Sequence, residues 1–168
     1  MRTFTAIDFE TASYPRHTAC ALGIVMVEGN RIIRSDHFYI RPPTRDFPLT
    51  WIHGITWSDV REAPKFKHLW PTLKEYLQES DFVAAHNASF DRSVLTSCCQ
   101  AAGLRIPSVN FVCTMKLARN YLDLDPADLP NVCRSLGIRL HHHEAQSDAE
   151  ACARIVIAAQ RAGWRQVN

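Results

Sequence analysis

Two carboxylates separated by a single residue stand near the start of the chain, in a segment that reads as a β-strand. Residues Phe4 to Phe9 form that segment, and strand geometry projects Asp8 and Glu10 from one face while Ile7 and Phe9 point to the other. Like charges converging on an otherwise apolar strand are costly unless a cation or a shared proton compensates. Asp91 and Asp148 stand at the starts of two predicted helices, where a carboxylate also complements the helix dipole. Either acid alone reads as a helix-start residue. Together they place four acids where rigid elements begin or run, good positions from which to hold a ligand in fixed geometry. His143 precedes Asp148 by five residues, in the loop entering that helix, so its imidazole can reach the same spot as a candidate general base. His141 and His142 read instead as a solvated surface patch.

The elements that must position these residues are legible in outline. Ala19 to Val27 and Arg31 to Ile40 read as two more strands, with Glu28-Gly29-Asn30 as hairpin turn chemistry between them. After a Pro-rich stretch from Pro42 to Pro48, the apolar residues Phe66, Leu69, Trp70, Leu73, Tyr76 and Leu77 fall at helical spacing. Asp81 to His86 suits a short buried strand, and Asn87 and Ser89 are candidate caps of a helix running to about Ala102. Phe111 to Thr114 repeats the strand pattern more weakly. Leu129 to Leu136 predicts a helix stopped by Gly137. In the last helix, from about Asp148 to Ala162, the Ser147-Asp148-Ala149-Glu150 spacing reads as a capping box with Ser147 as the cap. Three strands followed by alternating helix and strand imply an α/β fold, a mixed sheet with helices packed on it.

Composition bounds the function. With 168 residues and 46% hydrophobic content, the chain suits one compact domain, and no repeat or linker divides it. No segment approaches the ~20 apolar residues of a membrane span, and Asp8 and Glu10 interrupt the only N-terminal apolar run, so the expected setting is the cytoplasm. Six cysteines without CxxC spacing read as reduced core residues. A net charge of +2 is too small to imply tight nonspecific binding of a polyanion, although metal neutralisation of four acids would leave a more basic remainder around the site.

Three segments carry a family resemblance: Asp8-Phe9-Glu10-Thr11, His86-Asn87-Ala88-Ser89-Phe90-Asp91 and His143-Glu144-Ala145-Gln146-Ser147-Asp148. In order, they resemble the three exonuclease motifs of the DEDD superfamily in its histidine-containing branch, with all five polar positions present. The resemblance extends through His53-Gly54-Ile55-Thr56, Cys113-Thr114 with Leu117-Ala118-Arg119, and Leu129 to Ile138. The chain looks most like the exonuclease domain of the bacterial DNA polymerase III epsilon subunit and its free-standing relatives. Phe9 stands where many relatives carry Thr, and Cys113 where many carry Asp. Neither departure removes a metal ligand.

The resemblance implies a ribonuclease-H-like fold, with a central mixed sheet whose second strand is antiparallel to its neighbours, over a single exonuclease domain spanning residues 1–168. It implies 3′-to-5′ hydrolysis of phosphodiester bonds at single-stranded or frayed ends, of proofreading or repair type. Asp8, Glu10, Asp91 and Asp148 would hold two divalent ions, Mg²⁺ or Mn²⁺, which hard oxygen ligands favour over Zn²⁺. His143 would be the general base, while Thr11, Ala12, His53 and Asn87 would contact a nucleic acid with a free 3′ end. DNA is the expected strand and RNA trimming the alternative, because the motifs do not report on the 2′ hydroxyl. The resemblance also allows a polymerase or other replication partner. A binding module without catalysis is the reading from another class, and it would have no physical need for five intact polar positions.

Overall fold

A computed structural model describes residues 3–106 and 108–166. Its centre is a five-stranded sheet in the order β3-β2-β1-β4-β5, formed by β1 (Thr3–Thr11), β2 (Ala19–Glu28), β3 (Arg31–Tyr39), β4 (Phe82–Ala85) and β5 (Phe111–Cys113). β2 runs antiparallel to both β1 and β3, whereas β4 is parallel to β1 and β5 parallel to β4. The mixed sheet with an antiparallel second strand is thus as expected. Gly29, at φ 59°, makes the tight β2–β3 turn, a backbone conformation glycine adopts without Cβ strain.

The helices follow in chain order: α1 (Thr50–His53), α2 (Trp57–Val60), α3 (Phe66–Gln78), α4 (Ala88–Ala101), α5 (Thr114–Leu122), α6 (Leu129–Leu136) and α7 (Ala145–Arg161). The alternation in β1 sorts its side chains between two cores. Ile7 and Phe9 pack with Trp70, Leu73 and Tyr76 of α3 and Val94 and Leu95 of α4. Phe4 and Ala6 pack on the opposite face with Leu117 of α5 and with Ala149, Cys152 and Val156 of α7. Asp8 and Glu10 continue the Phe4-Ala6 side of the strand and so face the α7 layer. α6 closes over α7 through Val132, Cys133 and Ile155. No helix among the described residues is long and apolar enough to cross a membrane.

Three local expectations change. The last helix starts at Ala145, with Ser147 inside it rather than capping it. The side chains that suggested a capping box are used elsewhere: Ser147 Oγ accepts the His141 N–H at 2.7 Å, and Glu150 Oε1 accepts the Ser35 hydroxyl at 2.8 Å. At α4, Asn87 precedes the first turn in the left-handed conformation, φ 60°, and makes no side-chain cap bond. The segment from Thr114 turns directly from β5 into α5 without an intervening loop. The six cysteines are unpaired, as expected, and five of them are buried.

Candidate active site

The carboxyl ends of the parallel strands β1 and β4 open into one crevice, the usual place for a site in an open α/β sheet. It is a cleft of about 440 Å³ whose lining includes Asp8, Glu10, Thr11, His53, His143 and Asp148. Asp8 and Glu10 enter from the end of β1. Asp148 enters from the first turn of α7, which lies on the same side of the sheet. Each of these three offers a carboxylate oxygen, and the three atoms lie within 4.8 Å of one another.

The approach of α7 depends on Gly23, which pairs with Asp8 across the β1–β2 ladder. A Cβ on Gly23 would lie 2.0 Å from the carbonyl oxygen of Ala145 and 2.6 Å from the Gln146 nitrogen. Only a residue without a side chain lets the first turn of α7 settle over β2, and that turn delivers Asp148 to Asp8.

Asp91 reaches the site differently. β1 pairs with β4 only from Phe4 to Ala6, so the Phe9 N–H lies beyond that ladder. The buried Asp91 Oδ1 accepts it at 2.9 Å, tying the start of α4 to the strand between Asp8 and Glu10. Its Oδ2, like Oδ1 of the buried Asp148, has no hydrogen-bond partner among the described residues. Two orphaned carboxylate oxygens, one on Asp91 and one on Asp148 of the convergent trio, are what a divalent ion with hard oxygen ligands would satisfy.

The electrostatics point the same way. Burial, then the neighbouring charges of Asp91, Asp148 and Glu10, holds the Asp8 carboxyl well above its usual 3.8. Burial pushes Glu10 up to about 8, with Asp148 and Asp91 adding to it. Burial raises Asp91 to about 7, against the lowering pull of the Phe9 N–H and the Arg16 guanidinium. Asp148 is also raised, first by burial, against hydrogen bonds from the His143 backbone and His142 that favour its anion. Such crowding of acids is what a bound cation relieves.

His143 sits in the loop before α7 with a left-handed backbone, φ 68°. Its own N–H donates to Asp148 Oδ2 at 3.0 Å, so the carboxylate fixes the loop that carries the imidazole. Partial burial and the neighbouring His142 keep the His143 pKa below its ordinary 6.5, which leaves the ring neutral at physiological pH. His142, read from sequence as surface, is indeed exposed, yet it also joins the site. Its Nδ1 lies 3.1 Å from Asp148 Oδ2, and its ring stacks on His143 with centroids 3.7 Å apart. Spacing alone carried no sign of that contact.

The other expected contacts divide. His53 Nδ1 accepts the Ile55 N–H at 3.1 Å, which leaves Nε2 to donate to the Thr11 carbonyl, also at 3.1 Å. It therefore braces the end of β1 and lines the cleft beside Thr11. Ala12 is fully buried in a small cluster with Ile55, Val60 and Ala145, and its N–H is taken by the Thr18 carbonyl. Asn87 lies on the far side of the β4–α4 junction from His86 and Phe90, outside the cleft lining. The exposed Tyr14 also lines the cleft and went unmarked in the sequence, whereas Arg16, which sequence offers as a scattered surface charge able to guide a phosphate backbone, lines it with its guanidinium 4.4 Å over the Phe90 ring.

A mixed sheet in this order, with Asp8 and Glu10 at the end of β1 and Asp91 and Asp148 on the helices packed against it, is the ribonuclease-H-like fold. The family model described as Exonuclease (RNase T) matches residues 5–156. The chain is 31% identical over 160 residues to the DNA polymerase III PolC-type of Caldanaerobacter subterraneus subsp. tengcongensis, and 33% identical over 162 residues to that of Streptococcus suis. Each alignment covers 92% of this chain and 11% of the relative, so the chain spans only a small part of those polymerases. Among solved structures, Exonuclease X in complex with 5′ overhanging duplex DNA aligns with a TM-score of 0.79 at 26% identity, over 96% of this chain and 94% of that one. A 3′-exonuclease recognising histone mRNA stem-loop aligns with a TM-score of 0.81 over 96% of this chain and 82% of that one; at 19% identity the likeness is of fold. The chain belongs to the RNase T exonuclease family.

Proposed function

We propose that the chain, acting as one exonuclease domain over residues 1–168, removes nucleotides stepwise from the 3′ end of DNA at single-stranded or frayed ends. The observation that carries this reading is the convergence of the Asp8, Glu10 and Asp148 oxygens within 4.8 Å beside the His143 loop. DNA rather than RNA is supported by the likeness to Exonuclease X bound to duplex DNA, which extends over nearly the whole of both chains. The PolC-type relatives support a role in replication proofreading or repair in the cytoplasm, with a polymerase as a partner.

In this reading Asp8, Glu10 and Asp148 hold the metal ions, Mg²⁺ or Mn²⁺, with Asp91 contributing its free Oδ2. Bound there, two such ions would supply positive charge against the phosphate and the leaving 3′ oxygen and would make water more acidic. His143 takes the proton from the attacking water at a neutral ring nitrogen. Asp148 orients that ring indirectly, through the His143 N–H and the stacked His142. Thr11 and His53 line the pocket for the terminal nucleotide, and the His53–Thr11 hydrogen bond keeps that wall in place.

The test is digestion of 5′-labelled single-stranded DNA and RNA of one sequence with Mg²⁺ or Mn²⁺, alongside Asp8→Asn and His143→Ala. A ladder of stepwise shortening, faster on DNA and lost in both variants, is the expected result. Equal activity in the Asp8 variant would refute the site, and faster RNA shortening would reverse the substrate assignment.

A further inference from the structure

A second groove adjoins the catalytic cleft, and its chemistry is the opposite of the cleft's. It encloses about 630 Å³ between α4 and the β5–α5 junction, and Met115 lines both spaces. The β4–α4 junction forms the divide, with His86 and Phe90 on the cleft side and Asn87 and Ser89 on the groove side. The cleft gathers Asp8, Glu10, Asp128 and Asp148, whereas the groove lining contains no acid. It presents three cations, Arg92, Lys116 and Arg119, among the hydroxyls of Ser89, Ser93 and Ser97.

Little holds these cations in place. Lys116 has no ion-pair partner among the described residues, and Arg92 has only a contact 6.0 Å over the Phe111 ring. Arg119 Nε lies 3.7 Å from Asp125, but both side chains are more than half exposed, and a solvated pair of this kind contributes little. Three available cations on a hydroxyl-rich wall, with no carboxylate to repel an anion, suit a run of phosphates. The groove also lies on the β4–β5 side of the sheet, beyond the cleft from the Thr11–His53 wall.

We infer that this groove binds the phosphodiester backbone of the substrate strand on the 5′ side of the bond being cut. The inference rests on the exonuclease reading above. It explains how a chain with a formal charge of only +2 can hold a polyanion: the positive charge needed is concentrated along one exit from an acidic cleft. Recognition through phosphates predicts dependence on strand length and salt but not on sequence. Each phosphate neutralised on a single strand contributes about −0.7 to the slope of log affinity against log salt, so three cations account for about −2.

The experiment measures kcat/KM with Mg²⁺ on oligothymidylates and oligouridylates of two, four and twelve residues, between 50 and 200 mM KCl. It compares the wild type with the triple variant Arg92→Ala, Lys116→Ala and Arg119→Ala. The expected result is that the variant loses the advantage of the longer strands and shows a salt slope shallower by about 2, while dinucleotide cleavage stays within about twofold of wild type. A charge-preserving variant, Arg92→Lys with Arg119→Lys, should retain both length and salt dependence. Unchanged length and salt dependence in the triple variant would overturn the inference while leaving the exonuclease reading intact. An equal loss on the dinucleotide would overturn it too, by placing the cations at the cleft itself. If the wild type cuts no oligonucleotide of either series, the exonuclease reading fails and the groove assignment fails with it.

Discussion

Gly23 and Ala145 are in direct backbone apposition: a Cβ added to Gly23 would lie 2.0 Å from the Ala145 carbonyl oxygen. Because the obstruction is main chain, it cannot swing aside as a side-chain tip would. Gly23→Ala must lift the first turn of α7 from the sheet and draw Asp148 away from Asp8. Overpacking of this kind costs about 1–3 kcal/mol. The variant should melt several degrees lower and lose most of its nuclease activity. Retention of both wild-type melting temperature and rate would show that α7 does not depend on this contact.

Asp8→Asn separates stability from catalysis. In the metal-free protein the ionised Asp8 is destabilised by burial and by Asp91, Asp148 and Glu10, and an amide of the same shape removes that repulsion. Metal-free Asp8→Asn should therefore melt above the metal-free wild type at pH 8. Its activity should fall about 10³-fold, equivalent to about 4 kcal/mol of lost transition-state stabilisation. Calorimetry and a gel assay on one preparation check both halves, and a lower melting temperature in the variant would contradict the assigned strain.

The same carboxylates set a pH dependence for the metal-free protein. Their folded pKa values lie above the unfolded ones, so their contribution to stability is complete below about pH 4 and is lost as pH rises. The loss passes through about 7 for Asp91 and about 8 for Glu10. Melting temperatures in the presence of a chelator should thus fall between pH 6 and 8.5. Added Mg²⁺ or Mn²⁺ should raise them, and more at pH 8.5 than at pH 6, because protons compete for the same oxygens. A metal-induced rise of equal size at both pH values would show that these acids are not the ligands.

On the proposed mechanism, His143 should govern the acid limb of the rate profile. Its folded pKa lies below 6.5, so the neutral base predominates at pH 7 and activity should decline only as pH drops through that lower value. His143→Ala should lose about 10²–10⁴-fold in kcat. His142→Ala leaves the base in place but removes the stacked ring and its contact to Asp148, so a smaller loss is expected. Pre-steady-state rates from pH 5 to 8 check this. Equal losses in the two variants would place the two histidines on one footing.

Much of this was legible in the sequence because it depended on short periods. The two-residue alternation that puts Asp8 with Glu10 also separates Ile7 and Phe9 into the other core, and the hairpin at Gly29 needed only local turn chemistry. What was hidden depended on distant partners. Ser147 and Glu150 have capping-box spacing, but His141 and Ser35 claim them, so α7 begins at Ala145. His142 resembles its neighbour His141 in sequence, and only the folded loop brings it against Asp148. The one-turn helices α1 and α2 are too short to show a period, and α5 begins at the last residue of a segment that reads as strand.

Asp8 and Asp148 come from opposite ends of the matched region, and Asp148 is in place only when α7 rests over Gly23. During translation the ribosome delivers β1 with its two acids well before α7. Until α7 docks, a nascent chain therefore presents Asp8 and Glu10 without Asp148, so the proposed metal site is assembled by folding and not by β1 alone.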